Sequence, residues 1–174
     1  GVDSSVAAAL LREAGHEVVG VTLKLWGGPS DSGCCSVSDV DDARRVAHAL
    51  GIDHHVFNYT EEFQAAVVEP FVADHAAGLT PNPCIECNRV IKFDLLFERA
   101  KRLGFDAVAT GHHAQLESRH GRPHLVRSVD DLKDQSYVLG YLSAGALSML
   151  MLPVGHFTKS EVREHAERLG LRTW

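Results

Sequence analysis

The chain has 174 residues, of which 45% are hydrophobic and 23% charged, an ordinary composition for one globular domain with a sizeable core. It contains no apolar run long enough for a membrane span, so we expect a cytoplasmic protein with no membrane partner. Its formal charge of −6 argues against a generally basic surface for nucleic acid, but it leaves room for a local basic patch.

Residues 1–5, Gly-Val-Asp-Ser-Ser, stand directly before a run of good helix formers over 6–11. This predicts a turn that leads into a helix N-terminus. Unpaired backbone N–H groups, the positive end of the helix dipole and the serine hydroxyls would converge there on a spot the size of a phosphate group. Asp3 could hold a magnesium ion that bridges phosphate oxygens. A plain helix cap explains the same residues, since Asp and Ser are common caps.

Helical and strand patterns alternate in the first half of the chain. The predicted elements are an opening helix that ends at Gly15, a strand over 16–26, a loop over 27–38, a helix over 39–50, a strand over 54–59 and a helix over 61–77. This order predicts the α/β class, with a Rossmann-like parallel sheet covered by helices on both faces. Ligands of such sheets bind at the carboxyl ends of the strands.

The second half begins with a loop over 79–88 that two prolines hold extended. The elements predicted after it are a helix over 88–103, a strand over 105–110, hairpin arms over 114–116 and 124–127, a helix over 137–150 and a last helix that ends at Gly170. The strand over 105–110 leads into Gly111 and His112, so we expect His112 to take part in a site. Thr158 and Glu161 predict a capping box at the start of the last helix.

Four cysteines occur as two pairs, Cys34 with Cys35 in a loop and Cys84 with Cys87 in a C-x-x-C just ahead of a helix. The N-terminus of a helix favours the thiolate, which is the nucleophilic form. Three interpretations compete: a nucleophile with a neighbouring thiol, a redox pair, and half of a metal site completed by Cys34 and Cys35. The prolines before the second pair and the Lys and Arg after it suit anion binding better than redox chemistry.

Several segments resemble known families. The opening five residues resemble the end of the phosphate loop of the PP-loop ATP pyrophosphatases, which cleave ATP between its α and β phosphates. Residues 80–93, Thr-Pro-Asn-Pro-Cys-Ile-Glu-Cys-Asn-Arg-Val-Ile-Lys-Phe, resemble the TPNP-x-x-x-CN-x-x-IKF segment of the tRNA-specific 2-thiouridylases. Residues 110–112, 133–137 and 152–155, and the Lys-x-x-Val-Arg helix after them, are similar to further segments of that family in the same order. The resemblance covers essentially the whole chain.

The resemblance implies that residues 1–174 are a nucleotide-binding catalytic domain with an adenine nucleotide alpha hydrolase-like fold. We expect that its first strand is missing before Gly1, and that the helices of 137–174 lead to a tRNA-binding central domain. A second catalytic cysteine, which receives a persulfide in the family, would also lie beyond this chain.

The resemblance assigns roles to individual residues. Cys87 matches the nucleophile of the family. Cys84 stands where many members have Asp, which puts the proton-transfer role of that carboxylate in doubt here. The positions implied for ATP binding are Gly1, Val2, Asp3, Ser4, Leu23 and Gly111. The positions implied against the target base are Asn82, Pro83 and Cys84, and those against the tRNA are Lys133, Asp134 and Gln135.

The reaction implied is the formation of 2-thiouridine at the wobble position of tRNA. With ATP and Mg²⁺ (magnesium), the enzyme would adenylate the C2 oxygen of uridine, and a persulfide sulfur from a sulfur-donor protein would then displace AMP. Arginines in the hairpin over 114–127 form a local basic strip for RNA phosphates. Two alternatives stay open: another PP-loop ATP pyrophosphatase or ligase, and a nucleotide-binding module whose thiols hold a metal or an iron–sulfur cluster.

Overall fold

The computed structural model describes residues 1–26 and 37–171, so Cys34 and Cys35 lie outside the described residues. The helices are α1 (Val2–Glu13), α2 (Val37–Leu50), α3 (Thr60–Phe63), α4 (Glu69–Ala76), α5 (Pro83–Glu86), α6 (Leu96–Arg102), α7 (Ala144–Met149) and α8 (Lys159–Arg168). The strands are β1 (Val19–Lys24), β2 (Asp53–Asn58), β3 (Val108–Ala109), β4 (Ala114–Arg119), β5 (Arg122–Arg127) and β6 (Leu150–Met151). π-helical segments join α3 to α4 (Gln64–Val68) and α5 to α6 (Cys87–Leu95), and Ser136–Leu139 is a 3-10 helix.

Two strand pairs run parallel, which confirms the predicted α/β class. β1 pairs with β2 from Val19 opposite Asp53 to Lys24 opposite Asn58, and α2 is the crossover between them. β3 pairs with β6 in the same parallel sense. Within the described residues the strands form three two-stranded sheets instead of the one continuous sheet that was expected.

The third sheet is the antiparallel hairpin of β4 and β5. The hairpin was predicted, but its arms are longer than expected and its turn is tighter. His120 and Gly121 form the turn, and both have positive φ, 52° and 72°, as a two-residue hairpin turn requires.

Helices α1, α2 and α8 share one buried cluster, which sets the geometry of the candidate site. Val6 of α1 and Val162 and Ala166 of α8 are fully buried there. Ala9 of α1 is buried in the same cluster, and the apolar surface removed from water there stabilises the packing of the three helices. The Asp3–Lys159 contact joins the N-terminal ends of the two helices. Glu13 and Arg168 are paired near the other ends, so α1 and α8 lie side by side in the same direction.

Three predicted boundaries were wrong, each for a local reason. α1 begins at Val2, with Gly1 as its N-cap, so Asp3 lies in the first helical turn and not in a preceding turn. The strand predicted over 105–110 is reduced to β3, because only two of its residues pair with β6. The helix predicted over 137–150 is divided into the 3-10 helix and α7, because Ser143 caps a new helix by accepting a hydrogen bond from the Ala146 N–H.

Among the helices of the described residues, none combines the length and apolar character that a membrane crossing requires.

Candidate nucleotide and thiol site

The first turn of α1 carries the residues assigned to ATP phosphates. Asp3 complements the positive end of the helix dipole. The Ser4 and Ser5 hydroxyls donate to the Gly1 carbonyl at 3.0 and 3.1 Å. Both hydroxyl protons are therefore already donated within the turn. The donors that remain for an anion are the first backbone N–H groups of α1.

Gly111, just after β3, packs against this first turn of α1. A Cβ at Gly111 would lie 2.5 Å from the Ser4 nitrogen and 2.6 Å from the Asp3 carbonyl carbon. Only a residue without a side chain fits this approach, because both neighbours are backbone atoms. The structure thus brings together two positions, near 3 and at 111, that the sequence analysis assigned to one nucleotide.

Asp3 is the acidic centre of this region. The Lys159 ammonium group lies 2.5 Å from Asp3 Oδ1, and His113 Nε2 lies 3.4 Å from the same oxygen. His113 is only 3% exposed, and its Nδ1 has no hydrogen-bond partner among the described residues. The sequence analysis missed both Lys159 and His113. The signals were a lysine at the first position of a helix, where the dipole disfavours it, and a polar residue just after a strand end.

His112 lies beside these groups and stays neutral near pH 7. Burial, then the nearby charges of Lys92 and His113, lowers the pKa of His112 to about 4. Its Nδ1 lies 2.9 Å from the Thr110 hydroxyl, and its ring is 6.1 Å from the Phe93 ring. His112 therefore offers an uncharged imidazole at the strand end, next to Gly111.

The helix that bears the thiols begins earlier than predicted. Asn82 is its N-cap, and the Asn82 side chain accepts a hydrogen bond from the Cys84 N–H at 3.1 Å. Pro83 suits the first helical position because it has no N–H to satisfy. Cys84 is therefore the thiol in the first turn, and it is exposed. The prediction that both thiols lie just ahead of the helix was wrong: Cys87 lies one turn beyond Cys84, where the helix dipole has less effect on a thiol.

Cys87 is also the first residue of the π-helical segment. π-helical turns are rare and are frequent at functional sites. Their backbone hydrogen bonds join residues five apart, so Lys92 lies one turn after Cys87. Lys92 is close enough to lower the pKa of His112. Lys92 therefore lies near the segment that follows β3.

One part-buried hydrogen bond braces the thiol helix internally, and a second joins it to a distant segment. The Asn88 amide group donates to the Cys84 carbonyl at 2.8 Å, while Asn88 Oδ1 is buried without a partner among the described residues. The Tyr141 hydroxyl donates to the Ile85 carbonyl at 3.1 Å. Burial, then the negative charge of Glu86, raises the pKa of Tyr141, so its hydroxyl remains a donor.

The segment 133–135, assigned to tRNA contact, is anchored mainly to the protein itself. Gln135 pairs with His113 twice: its N–H donates to the His113 carbonyl at 2.8 Å, and its side-chain oxygen accepts from the His113 N–H at 2.9 Å. Asp134 accepts from the Ser128 N–H and the Ser136 hydroxyl. Although burial opposes ionisation of Asp134, these hydrogen bonds hold its pKa below the usual range. Lys133 is the exposed member of the three.

The remaining assigned residues lie in less distinctive settings. Leu23 lies near the end of β1, opposite Phe57, and is partly buried against the cluster that contains Ile91.

In the hairpin, Arg119 pairs with Glu117, and Arg127 pairs with acidic groups of the following loop. The predicted basic strip is therefore partly neutralised.

Comparison with known proteins places these features in a family. The model of the family described as "tRNA methyl transferase HUP domain" matches residues 1–174. A "tRNA-specific 2-thiouridylase MnmA" of Clostridium perfringens is 49% identical to this chain over 176 residues, which cover 98% of this chain and 49% of that protein. The protein of the same name from Chloroflexus aurantiacus is 53% identical to this chain over 176 residues, which again cover 98% of this chain and 49% of that protein. The chain thus spans about half the length of the curated relatives that it matches.

A solved structure agrees on the fold. The NMN synthetase from Francisella tularensis superposes with a TM-score of 0.56 at 20% sequence identity, over 98% of this chain and 58% of that one. This similarity concerns the fold alone, and it agrees with the α/β architecture predicted from the sequence. The resemblance to the tRNA-specific 2-thiouridylases is confirmed by the relatives, and the chain belongs to the tRNA methyl transferase HUP domain family.

Proposed function

We propose that this chain is the nucleotide-binding catalytic domain of a cytoplasmic enzyme that makes 2-thiouridine in tRNA at the expense of ATP. One observation carries the proposal: the chain is about half identical, over 98% of its length, to proteins named tRNA-specific 2-thiouridylase. Those proteins are about twice as long, and the proposal includes further segments that bind tRNA and carry a second cysteine.

ATP binds with its phosphates at the start of α1 and its adenine towards β1. The N–H groups near Gly1, Val2, Asp3 and Ser4 donate to the phosphate oxygens. The support is the first turn of α1 packed directly on Gly111. Leu23, partly buried near the end of β1, is the proposed apolar contact of the adenine.

Asp3 is the residue that would hold Mg²⁺. Within the described ranges, no group of three or more His, Cys, Asp or Glu side chains could hold a metal ion. One carboxylate is nevertheless sufficient for magnesium when substrate phosphates and water complete its oxygen shell. Asp3 is partly exposed at 30%, so its carboxylate fits that role. A bound magnesium ion would neutralise negative charge on the phosphates.

The thiol helix acts on the target base. Asn82, Pro83 and Cys84 form the contact surface for the uracil, and Lys133 meets the tRNA while Asp134 and Gln135 fix its loop. The uridine C2 oxygen attacks the α phosphate and pyrophosphate leaves. A persulfide sulfur, supplied by a donor protein, then attacks C2 and AMP leaves. The Cys87 thiolate then attacks the sulfur of the cysteine that carried the persulfide. The S–S bond breaks, 2-thiouridine is released and a disulfide forms between the two cysteines, which a thiol reductant opens for the next turnover. The shared support is that Lys92 of the thiol helix lies near His112, while Gln135 is hydrogen-bonded to His113.

The test uses the complete protein with ATP, Mg²⁺, a sulfur donor and unmodified tRNA, and nucleosides from digested tRNA are analysed by mass spectrometry. We expect 2-thiouridine with the unmodified protein, none with Cys87→Ala, and retained product with Cys84→Asp, which restores the acid usual in the family. Cleavage of ATP to AMP without any thiolation would instead favour another PP-loop enzyme. A methylated nucleoside formed from a methyl donor would favour the activity that the family description names.

A stoichiometric metal in the purified protein, lost together with Cys84 and Cys87, would favour the metal or cluster module. Thiolation by Cys87→Ala at the unmodified rate would reject the role proposed for that thiol.

A further inference from the structure

Cys84 and Cys87 lie one helical turn apart, and the backbone of that turn fixes their spacing. The Cys87 N–H donates to the carbonyl groups of both Cys84 and Pro83. A bond to the residue three positions back is the 3-10 pattern, in which side chains three residues apart come into line. The Cα atoms of such residues in a helix are about 5 Å apart, which is within the range that a disulfide spans. The two sulfurs can therefore be joined while the turn stays folded.

Three side chains hold this turn in shape. The Asn82 side chain accepts from the Cys84 N–H at 3.1 Å, and the Asn88 amide group donates to the Cys84 carbonyl at 2.8 Å. The Tyr141 hydroxyl donates to the Ile85 carbonyl, which lies between the two thiols, at 3.1 Å. A backbone that is already fixed in this way lowers the entropy cost of a reaction between its two thiols.

The two thiols differ in their access to solvent. Cys84 is exposed, whereas Cys87 is only partly exposed. A dissolved reductant therefore meets the Cys84 sulfur more readily than the Cys87 sulfur. Glu86 lies between the thiols and is paired with Arg89 at 2.5 Å, so its negative charge is partly balanced where thiolates must form. An accessible thiol beside a less accessible nucleophile suits thiol–disulfide exchange.

We propose that Cys84 is the resolving thiol of the sulfur-transfer reaction. The inference rests on the proposed function, in which each turnover leaves a disulfide between Cys87 and the second cysteine. The Cys84 thiolate attacks the Cys87 sulfur, the bond between Cys87 and the second cysteine breaks, and the second cysteine leaves as a thiolate. One disulfide replaces another, so this step neither gains nor loses electrons.

A dithiol reductant then opens the Cys84–Cys87 disulfide. Its first thiolate attacks the exposed Cys84 sulfur, and Cys87 leaves as the thiolate that the next turnover needs. Its second thiol closes the disulfide of the reductant and releases Cys84. The reductant loses two electrons and the cysteine pair gains them. A carboxylate at position 84 could not take this path.

The first experiment maps the disulfide that one turnover of the complete protein leaves. The protein is loaded with persulfide on its second cysteine, separated from the sulfur donor, and given ATP, Mg²⁺ and unmodified tRNA without oxygen or reductant. Thiols are then alkylated and peptides are analysed by mass spectrometry, and a sample without ATP corrects for disulfide formed outside the reaction. We expect the disulfide to join Cys84 to Cys87 in the unmodified protein, and to join Cys87 to the second cysteine in Cys84→Ser.

The second experiment measures the steady-state rate of thiolation against the concentration of dithiothreitol. Since the exposed disulfide is the easier one to reduce, Cys84→Ser and Cys84→Asp should each need about tenfold more dithiothreitol for half of their maximal rate. The Cys84 side chain is exposed, so both variants should fold. Lys101→Gln is the control, because Lys101 pairs with Glu98 in α6, the continuation of the same helix, and its demand for dithiothreitol should not change.

The outcomes distinguish the two proposals. If the unmodified protein formed no 2-thiouridine and no disulfide, the proposed function would be rejected. If one turnover joined Cys87 to the second cysteine and left Cys84 alkylated, only the role of Cys84 would be overturned. An equal demand for dithiothreitol in Cys84→Ser and the unmodified protein would overturn it as well. A mapped Cys84–Cys87 disulfide together with the raised demand in both variants would establish it.

Discussion

Replacing Gly111 with alanine would place a methyl group against the backbone of α1. The new Cβ would lie 2.5 Å from the Ser4 nitrogen and 2.6 Å from the Asp3 carbonyl carbon. These distances are about 1 Å shorter than the optimal separation of non-bonded heavy atoms. Neither neighbour can rotate away as a flexible side chain would. The strand end and the helix start must therefore move apart by about 1 Å.

The expected cost follows from comparable overpacked sites. Forcing an extra methyl group into a packed backbone contact costs about 1 to 3 kcal/mol, and a chain of this size would lose about 2 to 12 °C in melting temperature. The same displacement separates Gly111 from the N–H groups at the start of α1. We therefore expect ATP affinity to fall together with stability.

The assay is thermal unfolding of the complete protein, with and without ATP and Mg²⁺, beside a Gly145→Ala control. Gly145 is exposed in α7, and a Cβ there meets only the Ser143 hydroxyl at 3.8 Å. Alanine at 145 should stabilise the helix by up to about 1 kcal/mol. The reasoning would be refuted if Gly111→Ala had the same melting temperature as the unmodified protein and if ATP raised both melting temperatures equally.

Three further predictions follow from the same contacts. Gly155→Ala should prevent native folding, because its Cβ would lie 1.7 Å from the Ala114 carbonyl oxygen; circular dichroism of a native-like, cooperatively melting variant would contradict this. Thr158→Ala should cost about 1 kcal/mol in urea unfolding, because it removes the capping box with Glu161, and Thr158→Ser should restore most of the loss. The folded pKa of His112 is about 4 and its ordinary value is about 6.5, so the unfolded chain takes up the proton first and stability falls as pH drops through this window. His112→Gln should remove up to about 3 kcal/mol of that decline, and parallel pH profiles of the two proteins would show the reasoning to be wrong.

Local patterns were sufficient for most elements but not for their ends. The spacing of apolar residues and the glycine stops predicted α2 and one helix over the stretch that holds α3 and α4, and Thr158 with Glu161 predicted the capping box of α8. The start of the thiol helix was misplaced because Pro83 was interpreted as part of a rigid loop, whereas it is the first residue of α5. The helix predicted over 137–150 was divided because Ser143 caps a new helix, a choice that apolar spacing does not reveal.

The sequence by itself determined the α/β class, the order of most elements and the candidate residues, but not the short strand β6, because periodicity, caps and ordered motifs are local properties of the chain. Only the tertiary structure decided which of those residues meet. Gly111 packs on the backbone of Asp3 and Ser4. Lys159 and Asp3, 156 positions apart in the chain, form an ion pair. The side chains of Asp134 and Gln135 accept hydrogen bonds from nearby backbone N–H groups and so anchor their own loop. These contacts depend on the parallel packing of α1 and α8 and on the strand ends beside them. Burial across distant segments sets that arrangement, and no local pattern encodes it.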